Sequence, residues 1–206
     1  MPHDWILTHY TDRENLDRIW ETRTLRCALD LMDDCEKACW SKKKRCDFVP
    51  VKLAVLRDQQ PLTDGIVLCA TFADFDEYVQ YLNGHVFFWP SHSAGKIRRK
   101  EFRKKYTHPK HVGLRCRLSA LTAANPKTEI LFSPYNSGAT PRINPENSPR
   151  GLFQPLQSRK GLAFVEAVVK SEVLLPDCTE YEYEEEKWDK FFPTDKNLNT
   201  ADKKVT

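Results

Sequence analysis

The sequence predicts a single α+β domain, and three observations carry that prediction. The chain has 206 residues of which 40% are hydrophobic, enough for one domain with a real core. Its opening third interleaves short apolar runs with segments of helical period, and its later part is mostly short strand-like runs. Between the two late runs lies a stretch rich in Pro, Asn, Ser and Gly, residues 133–160, which reads as one long loop. Residues 1–192 are assigned to the domain and residues 193–206 to a disordered C-terminal tail.

The elements follow in order. Residues 5–8 are short and apolar enough for a strand, and Asp12 offers an N-cap to a helix over 13–22. Leu16, Ile19 and Trp20 fall at the spacing of one buried face of that helix. A second helix is predicted over 29–40 and a strand over 51–56, ended by the polar turn 57–61. A third helix is expected over 74–82. Asn83-Gly84 then turns the chain into the aromatic strand 85–89, closed by Pro90. Ser91 or Ser93 caps a basic helix ending near Tyr106, and residues 113–118, 129–132 and 161–175 complete the strands.

Composition excludes several classes. No run approaches the roughly 18 apolar residues of a membrane span, and the first five residues have neither the basic nor the apolar region of a signal peptide, so a cytoplasmic protein is expected. Seven cysteines without such a signal argue for reduced thiols. Cys35, Cys39 and Cys46 are clustered but lack the paired spacing and fourth ligand of a zinc site, so no metal is expected. Cys35 and Cys39, four apart, are expected to serve as small hydrophobes on the buried side of a helix.

The net charge of +3 is too small to identify a partner, but the charges are unevenly placed. Lys42 to Arg45 forms one basic cluster. A second runs from Lys96 to Arg117 and includes Arg98, Arg99, Arg103, Arg115 and Arg117. Such density suits contact with a phosphate backbone and equally the solvated side of a helix. The acidic run 180–186 reads as a solvated terminal segment.

Three short segments bear chemistry, each on its own predicted strand: Thr8-His9-Tyr10-Thr11, Val86-Phe87-Phe88-Trp89 and Glu166-Ala167-Val168-Val169. Glu166 is the most telling. A carboxylate inside the apolar run 162–169 is costly unless it faces water or has a task. The order of a histidine, an aromatic residue and a glutamate resembles the site layout of the ADP-ribosyltransferase superfamily. Thr8 to Thr11 looks like the tyrosine-histidine-glycine-threonine signature of its poly-ADP-ribose polymerase branch, with Tyr10 at the glycine. Phe87 stands at the tyrosine of the second motif, and Glu166 at the glutamate of the third.

The resemblance implies two β-sheets forming a NAD cleft flanked by helices, with NAD as cosubstrate. His9, Tyr10, Thr11 and Phe87 would bind NAD, and Glu166 would stabilise the positive charge that develops on the sugar as the nicotinamide bond breaks. Arg57 suits the pyrophosphate. The opening is also similar to the DNA-modifying toxins of bacterial toxin-antitoxin pairs, which implies an antidote or hydrolase partner. The expected acceptor is DNA, RNA or protein, and the basic helix over 93–106 favours DNA or RNA. Closer still, Leu56-Arg57-Asp58-Gln59, the Leu82-Asn83 segment and Ser133-Pro134-x-Asn136-Ser137-Gly138-Ala139-Thr140 look like segments of an uncharacterised, largely bacterial family. Ser133, Asn136, Ser137 and Thr140, with Arg98, Arg99 and Arg103, are the expected substrate-binding residues. Two alternatives stay open: a non-catalytic module that binds a nucleotide or nucleic acid, and an NAD glycohydrolase.

Overall fold

In the computed structural model, residues 4–57, 59, 62, 72–90, 111–133, 153–155, 164–184 and 187–190 are described. The first strand, β1 (Ile6–Asp12), is rich in β-branched residues and is buried along most of its length. It runs four residues beyond the predicted end because β6 (His111–Arg117) pairs with it along its whole length, from Ile6 opposite Arg117 to Asp12 opposite His111. Asp12 is buried, and its carboxylate accepts from the Glu14 N–H to start a 3-10 turn, Arg13–Asn15. This turn runs into α1 (Leu16–Thr22). Ile19 is buried there as expected, but Trp20 is 41% exposed, because the helix is too short to bury both.

The expected helix over 29–40 is two helices, α2 (Ala28–Leu31) and α3 (Asp34–Trp40), which follow the short strand β2 (Thr24–Arg26). Met32 is extended, and Asp33 and Glu36 form a reciprocal capping box that starts a new helix. α3 buries no residue, so Cys35 and Cys39 are exposed rather than core hydrophobes. The predicted strand 51–56 is a hairpin of β3 (Val49–Val51) and β4 (Ala54–Leu56). Asp74 caps α4 (Phe75–Asn83), and β5 (His85–Pro90) follows directly after Gly84.

Leu118, expected at a strand end, instead opens an unpredicted helix, α5 (Leu118–Ala124), whose Ser119 N–H is held by the Asp4 carboxylate. The late strands are β7 (Ile130–Ser133), β8 (Gln154–Pro155), β9 (Glu166–Lys170), β10 (Glu172–Leu174), β11 (Glu180–Glu184) and β12 (Lys187–Lys190). The run 161–175 is thus cut in two at Ser171, whose φ of 60° turns the chain from one sheet into another. The acidic run is not a solvated segment. Its first five residues form β11, which pairs with β6 on one side and β12 on the other.

Eight strands form one antiparallel ladder in the order β12-β11-β6-β1-β5-β9-β7-β8, beside two-stranded sheets β10-β2 and β3-β4. The α+β class expected from the sequence is therefore present. Where two sheets were expected, the ladder is continuous but narrows to two registered pairs between β1 and β5, Leu7 with Pro90 and Thr8 with Trp89.

Both faces of the sheet are covered. Leu7, Val86, Phe88, Leu114, Phe132, Ala167 and Val169 pack on one face with Ile19 of α1 and Leu121 of α5. Val168 packs on the other with Tyr78, Val79 and Leu82 of α4 and with Phe153. A strand buried on both faces reads as a continuous apolar run rather than an alternation, and that is why residues 167–169 are Ala-Val-Val. Among the described residues no helix is long and apolar enough to cross a membrane.

Candidate functional site

The strands carrying His9, Phe87 and Glu166 are consecutive neighbours, β1, β5 and β9. His9 stands where β1 and β5 part, one residue beyond their last registered pair. Its Nδ1 lies 2.9 Å from the Phe87 carbonyl oxygen. A carbonyl can only accept, so Nδ1 carries the proton and Nε2 of the neutral ring presents a lone pair. Burial pushes the imidazole down to about 4, and the Arg57 guanidinium pushes the same way against the opposing Phe87 carbonyl. His9 is therefore neutral at pH 7, an acceptor suited to a hydroxyl.

Arg57 reaches this position because Asn15 fixes the strand before it. The Asn15 side chain donates to the Val55 carbonyl at 2.9 Å and accepts from the Val55 N–H at 2.8 Å, copying the paired bonds of a neighbouring strand. It also donates to Thr11 Oγ1, so β1, the 3-10 turn and β4 are tied at one point. Thr11 is buried, and its hydroxyl holds Asn15. Tyr10 is buried as well, its ring 5.4 Å from that of Trp89.

The side chains of Phe87 and Glu166 come from the other face. Alternation along β5 sends Phe88 toward His9, with ring centroids 5.8 Å apart, and Phe87 toward Phe153, 6.0 Å away. His9 thus meets the main chain of Phe87 and not its ring. Glu166 is 2% exposed, at the start of β9, on the face of Val168. It is paired in register with the fully buried Ser133, whose carbonyl accepts from the Val165 N–H. The Arg57 guanidinium is near enough to His9 to lower its titration, and Glu166 faces Ser133 in register, but β5 lies between β1 and β9, and the His9 and Glu166 side chains stand on opposite faces of the sheet.

Several expectations lie outside the described residues: Asn136, Ser137 and Thr140, the basic helix with Arg98, Arg99 and Arg103, and the tail 193–206. Of the second basic cluster, Arg115 and Arg117 are described and are occupied. Arg115 pairs across the sheet with Glu180, from the acidic run expected in solvent, and Arg117 pairs with Asp4 just before β1.

Sequence reasoning missed a polar knot beneath Arg57. Arg45 is only 6% exposed, and its Nε donates to the Arg57 carbonyl at 2.8 Å while its NH1 donates to Asn83 Oδ1 at 2.8 Å. Gln59 and Arg45 clasp each other, main-chain N–H to Oε1 at 3.2 Å and N–H to main-chain carbonyl at 2.8 Å. Gln59 Nε2 also donates to Asn83 Oδ1, and Asn83 Nδ2 holds the Ser41 carbonyl. The segments Leu56-Arg57-Asp58-Gln59 and Leu82-Asn83 carried the signal, since both feed this knot.

The chain belongs to a family of unknown function, DUF7002, which matches residues 6–169. That span holds β1, β5 and most of β9 together with Arg45, Arg57 and Asn83. No curated protein matches the chain.

Proposed function

For this member of a family without an assigned activity, we propose an NAD-dependent ADP-ribosyltransferase that breaks the nicotinamide glycosidic bond and passes ADP-ribose to DNA or RNA. The observation that carries the reading is the neutral imidazole of His9, held by the Phe87 carbonyl at the parting of β1 from β5, with the Arg57 guanidinium near enough to lower its titration. A lone pair beside a cation matches a ribose hydroxyl beside a pyrophosphate. To use Glu166 as well, a dinucleotide would have to pass through the parting and reach the other face of the sheet beyond β5.

In this reading Arg57 binds the pyrophosphate, and Nε2 of His9 accepts from a ribose hydroxyl while adding no charge to oppose the sugar cation. The Glu166 carboxylate, fixed opposite Ser133, stabilises that cation as the bond to nicotinamide breaks. The ring of Phe87, which packs on Phe153, favours a second reading, a module that binds a nucleotide without cleaving it.

Release of nicotinamide from NAD by the purified protein, with DNA, RNA or no acceptor present, tests both. Glu166→Gln should lower the rate by about 100-fold with binding nearly kept, the scale of a lost transition-state contact. NAD binding without any release of nicotinamide would leave the second reading. Release at an equal rate without acceptor would make the protein a glycohydrolase.

A further inference from the structure

We propose that Arg45, Gln59 and Asn83 are positioning residues that hold Arg57 beside His9 as the anion-binding arm of the site. The inference rests on the nucleotide-binding reading above and adds how its cation is aimed. β4 lies against β1 and the 3-10 turn, and Arg57 comes immediately after it. Upstream, Asn15 pins both main-chain polar groups of Val55. Downstream, Arg45 holds the carbonyl of Arg57 itself, and Gln59 is locked to Arg45 at two points. The strand before Arg57 and the carbonyl of Arg57 itself are therefore both held, which sets where its side chain starts.

The choice of residue supports a directional task. Burying a guanidinium costs several kcal/mol unless its N–H groups are satisfied, and an apolar plug would tie two segments together at less cost. What the planar fork of Arg45 adds is a fixed angle between two acceptors, the Arg57 carbonyl and Asn83 Oδ1, which lie on different segments. Asn83, the last residue of α4, is itself held by the Trp40 and Ser41 carbonyls, so the reference frame reaches α3. The Arg45 charge adds to the positive potential around Arg57, where an anion would dock.

Asn83→Ala and Gln59→Ala change no charge, so a change they cause in the electrostatics at His9 reports a displaced cation, and Arg57→Gln shows how much of that field Arg57 supplies. Two readouts apply to both variants and to Arg57→Gln: the affinity for inorganic pyrophosphate by calorimetry, and the His9 titration by NMR of the imidazole. Asn83→Ala should weaken pyrophosphate binding by about tenfold, as Arg57→Gln does, the scale of one charged hydrogen bond. It should also raise the His9 midpoint by roughly one pH unit, the effect of moving a like charge away.

Lower thermal midpoints with unchanged affinity and unchanged His9 titration would make the three residues structural only, and would overturn the proposal. If Asn83→Ala does not fold, Gln59→Ala, which leaves the Arg45 contacts to Arg57 and Asn83 in place, gives the same test at smaller amplitude. A wild type that binds no pyrophosphate would sink the nucleotide-binding reading and with it the anion-binding role, whereas His9 shifts in the variants would still separate that failure from a failure of positioning.

Discussion

Asn15 and Val55, forty residues apart in the chain, face each other as paired strand residues do, with the carboxamide of Asn15 standing in for a peptide group. One side chain thereby satisfies two main-chain groups of a strand that would otherwise have a neighbour only at β3. Asn15→Ala leaves both groups of Val55 and the Thr11 hydroxyl to find other partners. The expected cost is about 1–3 kcal/mol, read as a shift of the urea midpoint without a change of slope. A loss below about 0.5 kcal/mol, the range of an ordinary surface substitution, would show that the contact contributes nothing.

The His9 ring makes stability depend on pH in a definite direction. Its folded value, about 4, lies below the ordinary 6.5. Between those values the unfolded chain takes up a proton that the folded chain does not, so stability falls as pH drops from 6.5 toward 4. The full span amounts to at most about 3 kcal/mol. His85, also pushed down mainly by burial, acts in the same direction. Denaturation of His9→Gln between pH 7 and 4 should therefore show a shallower slope than wild type, though not a flat one. Equal slopes would mean that His9 is protonated in the folded protein.

Phe88 and Trp20 separate the packed face from the solvated one. Phe88 is 1% exposed and Trp20 41%. Phe88→Ala should cost about 3–5 kcal/mol, whereas Trp20→Ala, at a side chain left 41% exposed, should cost clearly less. Comparable losses in the two variants, measured by chemical denaturation, would contradict the register of β5 or the pose of α1.

The thiols divide in the same way. Burial raises Cys27 and Cys116 to about 12, while Cys35, Cys39, Cys46 and Cys178 are exposed. Brief alkylation of the native protein at pH 8, read by peptide mass spectrometry, should mark the exposed four and spare Cys27 and Cys116 until the chain is unfolded. Early labelling of Cys116 would place the edge strands β11 and β12 off the sheet.

Features set by neighbours in sequence were legible. Asp12 and Asp74 cap the helical turns directly after them, and the aromatic run before Pro90 is a strand, because each depends on local hydrogen bonds and side-chain type. The acidic strand β11 was hidden, since its pairing with Arg115 lies 65 residues away and its charges mimic a solvated tail. Arg45 was hidden for the same reason. It stands among lysines in the sequence, while its burial is decided by acceptors 12 and 38 residues downstream. The adjacency of His9 and Arg57 had no local signal either, because it depends on Asn15 reaching across to β4.

The placement of β11 and β12 has a practical consequence for anyone shortening the chain to the span that its family shares. A cut after residue 169 would pass through β9, one residue before its end, and would discard β10, β11 and β12. β2 would lose its partner, and β6 would become the margin of the sheet with its outer row of amides and carbonyls unclaimed. Such a margin recruits whatever strand it meets first, which in a concentrated solution is another copy of itself. The truncated chain should therefore precipitate or elute earlier on gel filtration than the full chain run beside it.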